Sequence, residues 1–209
     1  MIFRVWLCLL VLSVTVLAQS PRVALTFDDG PLPGVTEALL GILKQANVKA
    51  TFFVVGRSSV LRPDLVLQIA RDGHELGNHS YSHLRLDGLT DRQVALELSA
   101  TSELIARITG QKMKCFRPPG GRLSPVCERE MKMQDLCLVR WTLNAGDSEM
   151  DLVDLSRHHL LSLIDKIRPN AIVLLHNGSE QTLTDLAAFI QALKEKGFVF
   201  VTVSELSHD

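Results

Sequence analysis

Two acidic residues stand side by side in LTFDDGPLPG, residues 25–34, where Asp28 and Asp29 close an apolar run and precede a Gly-Pro turn. Neighbouring side chains on an extended strand point in different directions, so one carboxylate can face a cation while the other faces water. Two like charges this close repel and shift each other's pKa, a cost that a divalent cation relieves. Asp-Gly after a strand is also ordinary turn chemistry, so the pair gains meaning only from its company. The segment HSYSH supplies His79 and His83. Two His four apart share one face if the segment is helical, and neutral imidazole is a common zinc donor. The pair has the ends of H-E-x-x-H without its Glu, and His74-Glu75 is out of register to replace it. A third ligand and a base must come from elsewhere, and Asp28 with Asp29 can provide one of each. An Asp-His-His set with open positions is what a hydrolytic zinc centre requires.

Such groups need a scaffold that brings them together. Apolar runs at 23–27, 50–55, 74–78, 114–117, 136–141, 171–176 and 198–203 read as strands, and patterns at 35–46, 63–72, 90–109, 125–134, 151–167 and 183–196 read as helices. Thr90 and Gln93 form a capping box, Ser124 caps a helix with Pro125 at its first position, and Gly73 and Gly110 follow helices. Strands alternating with helices imply right-handed crossovers and a parallel sheet. The fold class expected is α/β, a distorted or incomplete (β/α) barrel of about seven parallel strands, short of the full eight. Functional groups then lie at the carboxyl ends of the strands. Asp28 and Asp29, the two His, Arg117, Asp147 and His176 all follow or end such runs.

The chain of 209 residues is 46% hydrophobic with a net charge of -1 and has neither linker nor repeat, so one domain is expected. No basic run builds the footprint of a nucleic-acid binder. Residues 1–18 carry Arg4, an apolar run from Val5 to Leu17 and a small-residue site at Ala18. They read as a secretory signal peptide cleaved after Ala18, leaving a domain over 19–209 with no stable membrane span. The alternative, a membrane anchor, needs a longer apolar run of roughly 20 residues. A secreted or periplasmic protein is expected. Removing Cys8 leaves Cys115, Cys127 and Cys137 without metal-type spacing. Cys115 and Cys137 fall in consecutive strands and either pair or serve as small buried residues.

TFDDGP, HSYSH, RPPGG, W…GDS and LLHNG, in this order and over about residues 23–206, resemble the polysaccharide deacetylase family, the NodB-homology carbohydrate esterases. The resemblance implies metal-dependent removal of acetyl groups from N-acetylglucosamine units or related sugars, a hydrolase acting on non-peptide carbon–nitrogen bonds. Carried over by position, it makes Asp28 the general base and Asp29, His79 and His83 the ligands of one divalent metal, zinc or another transition metal such as cobalt. It makes Arg117 the group that orients the base, with Asp147 as its partner, and His176 the general acid. Leu174 becomes a wall of the acetyl pocket. Gly120 stands where the family usually has an aromatic, keeping a backbone N–H for the oxyanion but losing a groove wall. Ser148 stands where Trp usually follows the Asp. Both departures suggest an open cleft.

The leading reading is therefore a secreted deacetylase of an acetylated cell-wall or extracellular polysaccharide. The alternatives are an O-acetyl esterase on a polymer such as acetylated xylan and an inactive carbohydrate-binding relative. His158, His159 and His208 lack partners at ligand spacing and read as surface or tail residues. Asn78 and Asn177 each open a glycosylation acceptor. A glycan beside His79 or His176 would block the cleft, which favours a bacterial source.

Overall fold

The apolar run that ends at Asp28 is β1 (Arg22–Asp28), the central strand of an all-parallel sheet. The computed structural model describes residues 20–147 and 159–207. The expected signal peptide, Ser148, His158, His208 and residues 151–158 of the expected helix lie outside the described residues. The other strands are β2 (Thr51–Val54), β3 (Glu75–Asn78), β4 (Cys115–Phe116), β5 (Cys137–Leu138), β6 (Leu143–Asn144), β7 (Ala171–His176) and β8 (Val199–Phe200). Their order is β5-β4-β3-β2-β1-β7-β6, a curled half-barrel of seven strands, with β8 beside the start of β1. The helices are α1 (Val35–Gln45), α2 (Gly56–Leu61), α3 (Pro63–Arg71), α4 (Asp91–Thr109), α5 (Pro125–Met133), α6 (Glu180–Glu195) and α7 (Val203–Ser207).

Strand alternation sorts β1 into two faces. Val23, Leu25 and Phe27 join the main core with Leu39, Leu40 and Leu43 of α1 and Leu186, Phe189 and Ile190 of α6. Phe27 stacks on Phe52 with ring centroids 5.1 Å apart. Ala24 belongs to a smaller cluster with Phe53, Cys115 and Val139. Thr26 and Asp28 share Ala24's face by the same alternation, and Arg117 reaches both. The strand pattern therefore aims Asp28 into the barrel.

Several ends are fixed as expected. Ser124 Oγ accepts the Cys127 N–H at 3.3 Å, Pro125 opens α5, and Gln93 reaches back to the Thr90 N–H at 3.0 Å. Three expectations are corrected. The run at 136–141 contains only β5, and β6 follows it as a separate strand that takes its register from β7. The strand expected at 198–203 is only Val199–Phe200, because Thr202 caps α7: its Oγ1 accepts the Glu205 N–H at 3.4 Å and its own N–H donates to Glu205 Oε2 at 2.7 Å. Of the helix expected at 151–167, Leu160–Lys166 is a 3-10 helix. Cys115 and Cys137 are register neighbours, but both thiols are free, the first buried and the second exposed.

Candidate functional site

The six-residue pairing of β1 with β7 sets Asp28 beside His176. Past the strand the backbone turns sharply, with Asp29 at φ 74°, which separates the two carboxylates. Gly30 is required by its neighbour, since a Cβ there would lie 2.1 Å from Asn177 Nδ2. The turn of the first motif is thus packed on the residue after His176.

Asp28 and Arg117 are almost fully buried, at 4% and 1% exposure. Arg117 Nη1 donates to Asp28 Oδ1 at 2.7 Å and to Thr26 Oγ1 at 2.8 Å. Its Nε and Nη2 donate to the carbonyls of Val139 and Arg140, both at 3.3 Å, and its Cζ lies over the Phe53 ring, 4.2 Å from the centroid. Four of the five guanidinium N–H groups thus have acceptors, which offsets much of the cost of burying the charge. Burial pushes the Arg117 pKa down against the opposing charge of Asp28.

Asp29 turns the other way. Its Oδ1 lies 2.9 Å from His83 Nε2 and 3.4 Å from His79 Nε2, yet it is buried and makes no hydrogen bond of proper geometry. One ligand atom from each of these three residues lies within 4.8 Å of the others. His79 Nδ1 lies 2.7 Å from the Arg117 carbonyl oxygen, an acceptor, so Nδ1 carries the hydrogen and Nε2 presents its lone pair to Asp29. An orphaned carboxylate oxygen facing two imidazole nitrogens fits a divalent cation. Burial disfavours charge on His79, but the carboxylates of Asp28 and Asp29 outweigh it and raise its pKa. Burial likewise disfavours charge on Asp29, and the two imidazoles outweigh it, holding Asp29 well below the usual carboxylate range.

The 79–83 segment is not helical, contrary to the condition set by its spacing. Ser80 and His83 have φ of 62° and 60°, and the loop folds back on itself so that the two rings stand 5.0 Å apart. The expected partnership of Asp147 with Arg117 is also corrected. Asp147 Oδ1 takes His176 Nδ1–H at 2.7 Å, and Oδ2 takes the His176 N–H at 2.8 Å and the Thr182 hydroxyl at 2.5 Å. The Arg117 guanidinium gives four of its five N–H groups to Asp28, Thr26 and the two carbonyls, and Asp147 is bonded to His176 and Thr182 instead. Burial lowers the His176 pKa, but the Asp147 hydrogen bond and charge, with Asp28 and Asp29 behind, leave it raised.

A cavity of about 350 Å³ collects these groups, with Asp28, Asp29, His79, His83 and His176 on its wall. Leu174 and Gly120 also line it, and so do Trp141, the first residue of W…GDS, to which the sequence attached no role, and Asn144, which the sequence did not single out. Around Gly120 (φ 67°) the space is open, whereas a Cβ on Gly121 would meet Trp141 at 2.7 Å. His159 is half-buried, and its ring Nε2 lies 2.7 Å from the Ala145 carbonyl oxygen. Asn78 and Asn177 are buried, Asn78 donating to Leu98 O at 2.8 Å, and neither can carry a glycan in the folded chain.

Residues 17–136 match the family model described as polysaccharide deacetylase. A peptidoglycan-N-acetylglucosamine deacetylase of Bacillus cereus is 34% identical over 88% of this chain and 87% of its own length. Among solved structures, a family 4 carbohydrate esterase from Streptomyces lividans in complex with acetate superposes with a TM-score of 0.83 at 29% identity, covering 91% of this chain and 96% of that one. A pseudoenzyme of the same family from Bacillus anthracis superposes with a TM-score of 0.82 at 29% identity, over 90% of this chain and 65% of its own. The family model, the identity with the Bacillus cereus relative and the shared fold agree on one point: the chain belongs to the polysaccharide deacetylase family.

Proposed function

We propose that this chain is an extracytoplasmic bacterial deacetylase that uses a divalent metal to hydrolyse the N-acetyl group of N-acetylglucosamine-type units in a cell-wall polysaccharide. The observation that carries the reading is the division of partners between adjacent carboxylates. Asp29 faces two imidazoles, and Asp28 is held by Arg117 with Oδ2 left toward the cavity side, 3.7 Å from His79 Nε2. The name of the Bacillus cereus relative supports the substrate class.

Asp29, His79 and His83 would hold the ion, and their mixed imidazole and carboxylate donors suit zinc among the divalent metals. Such an ion supplies Lewis-acid polarisation to water and to the acetyl carbonyl. Asp28 takes the proton of the attacking water, its other oxygen pinned by Arg117 so that the free one keeps its direction. The Gly120 N–H helps hold the developing oxyanion, and Leu174 walls the acetyl methyl. His176, with Nδ1–H committed to Asp147, delivers a proton from Nε2 to the leaving amine. An amide cannot expel an amide anion, so that proton is a chemical requirement.

Acetate release from N-acetylated chitin oligomers and peptidoglycan, measured on metal-stripped and zinc-restored protein, tests the reading. Zinc-dependent release supports it, and none under either condition returns the chain to the company of its pseudoenzyme relative. A second reading, O-acetyl ester hydrolysis, is favoured by the likeness to the carbohydrate esterase. Faster release from acetylated xylan than from any N-acetyl polymer would replace the first reading with the second.

A further inference from the structure

The loop that carries His79 and His83 is irregular, yet each of its backbone N–H groups has an acceptor. His79 donates to the Val54 carbonyl at 3.0 Å, Ser80 to Asn78 Oδ1 at 2.8 Å and His83 to Ser80 Oγ at 3.2 Å. The two between them, Tyr81 and Ser82, both donate to Oε2 of Glu97, at 2.9 and 2.8 Å. The Ser82 hydroxyl donates to Oε1 of the same residue at 2.5 Å. Two consecutive amides aimed at one anion form a nest, and bonds to an ionised acceptor are the stronger kind. The carboxylate comes from α4, so the helix grips the loop between the two imidazoles.

The two His differ in how they are otherwise held. His79 continues the β3 ladder, and its ring is pinned to the Arg117 carbonyl at 2.7 Å. His83 lies at the far end of the loop at φ 60°, a left-handed conformation that non-glycine residues enter at a cost. Its side chain is 36% exposed. Its place beside Asp29 therefore depends on the loop's conformation and hence on what holds Tyr81 and Ser82.

We propose that Glu97 is a positioning residue for the metal centre, its carboxylate fixing the Tyr81–Ser82 stretch so that His83 meets Asp29 and His79. The proposal rests on reading that trio as a metal site. Removing a group that orients a ligand typically costs about 10–100-fold in metal affinity.

The test is zinc affinity by competition with a chromophoric chelator, together with the melting temperature of metal-free protein and hydrogen exchange at the Tyr81 and Ser82 amides. Glu97→Ala is expected to weaken zinc binding about 10–100-fold, to speed exchange at those two amides, and to move the metal-free melting temperature little. Glu97→Gln, whose carbonyl oxygen can accept both N–H groups, should recover most of the affinity. Unchanged zinc affinity in Glu97→Ala overturns the proposal, as does a fall in metal-free stability with affinity intact. Should Glu97→Ala not fold, Glu97→Asp, too short to reach both amides, is read on the same titration, where wild-type affinity overturns it equally. A wild type that takes up no zinc sinks the metal reading itself, and the first titration shows this before any variant is compared.

Discussion

Asp28 and Asp29 differ by one position in the chain and by everything in their surroundings. The neutral analogue separates their proposed tasks. Asp28→Asn should keep metal content near wild type and abolish turnover, whereas Asp29→Asn should lose both, as elemental analysis beside an acetate assay would report. For His176 the leaving group is the discriminator. An aryl acetate expels a phenolate of pKa about 10 or lower and hardly needs a proton. His176→Ala should lose roughly 10²-fold or more on an N-acetyl sugar and much less on the aryl ester, and equal losses would reduce His176 to a residue that shapes the cleft. As the proposed acid, His176 must be protonated, and although burial lowers its pKa, Asp147 leaves it raised, so activity on the amide should fall as pH rises through a value above the ordinary 6.5. Asp147→Asn should move that alkaline limb to lower pH. At this scale the motif residues were legible because their chemistry is in their side chains. The Asp147 partnership was misread because Asp147 and Arg117 both follow strands, and only the β6–β7 and β1–β7 registers reveal which neighbour each meets. Glu97 was invisible because two of its three partners are backbone amides, which leave no mark in a sequence.

Among the elements, those with strong periodicity or caps were legible: α1, α3, α4 and α5 lie within a residue or two of their expected ranges. The weakest were β5 and β6, each two residues long, whose extent is set by the strand beside them and not by any run of apolar residues. The entry to β3 shows how a loop residue joins two elements. His74 is buried, and its Nδ1 accepts the Ala50 N–H at 3.2 Å, tying the start of β2 to β3. Burial, assisted by Lys49, pushes its pKa down to about 4 from 6.5. The unfolded chain therefore binds a proton below about pH 6.5 that the folded chain refuses until about pH 4. The contribution of neutral His74 is whole above the upper value and is lost as pH falls toward the lower one, by about 3 kcal/mol at most. His74→Gln can accept the same N–H and does not titrate. Denaturant melts across this window should show a shallower pH slope for the variant, and parallel slopes would mean that His74 is not the group responsible.

For the molecule as a whole, the inside of the half-barrel is unlike an ordinary core. Its apolar cluster is small, with Ala24, Phe53, Cys115, Val139 and Val203, and among the largest fully buried side chains is that of Arg117. A cation therefore fills space that a barrel would normally give to branched aliphatic residues, and it does so in contact with β1, with the chain after β5 and with the Phe53 ring of β2. Stability and the proposed activity would then meet at one residue. Removing one partner of a buried pair strands the other, at about 3–5 kcal/mol, whereas replacing both with groups of similar shape can be nearly neutral. Arg117→Met should accordingly lower the melting temperature by about 10 °C, taking 2–4 °C per kcal/mol for a domain of this size. Adding Asp28→Asn removes the stranded charge and should restore a large part of that loss without restoring any turnover. Thermal melts of the two single variants and the double variant measure the coupling directly. Additive losses would show that Arg117 stabilises the barrel through its other contacts, with Phe53, Thr26 and the carbonyls of Val139 and Arg140, and not through Asp28.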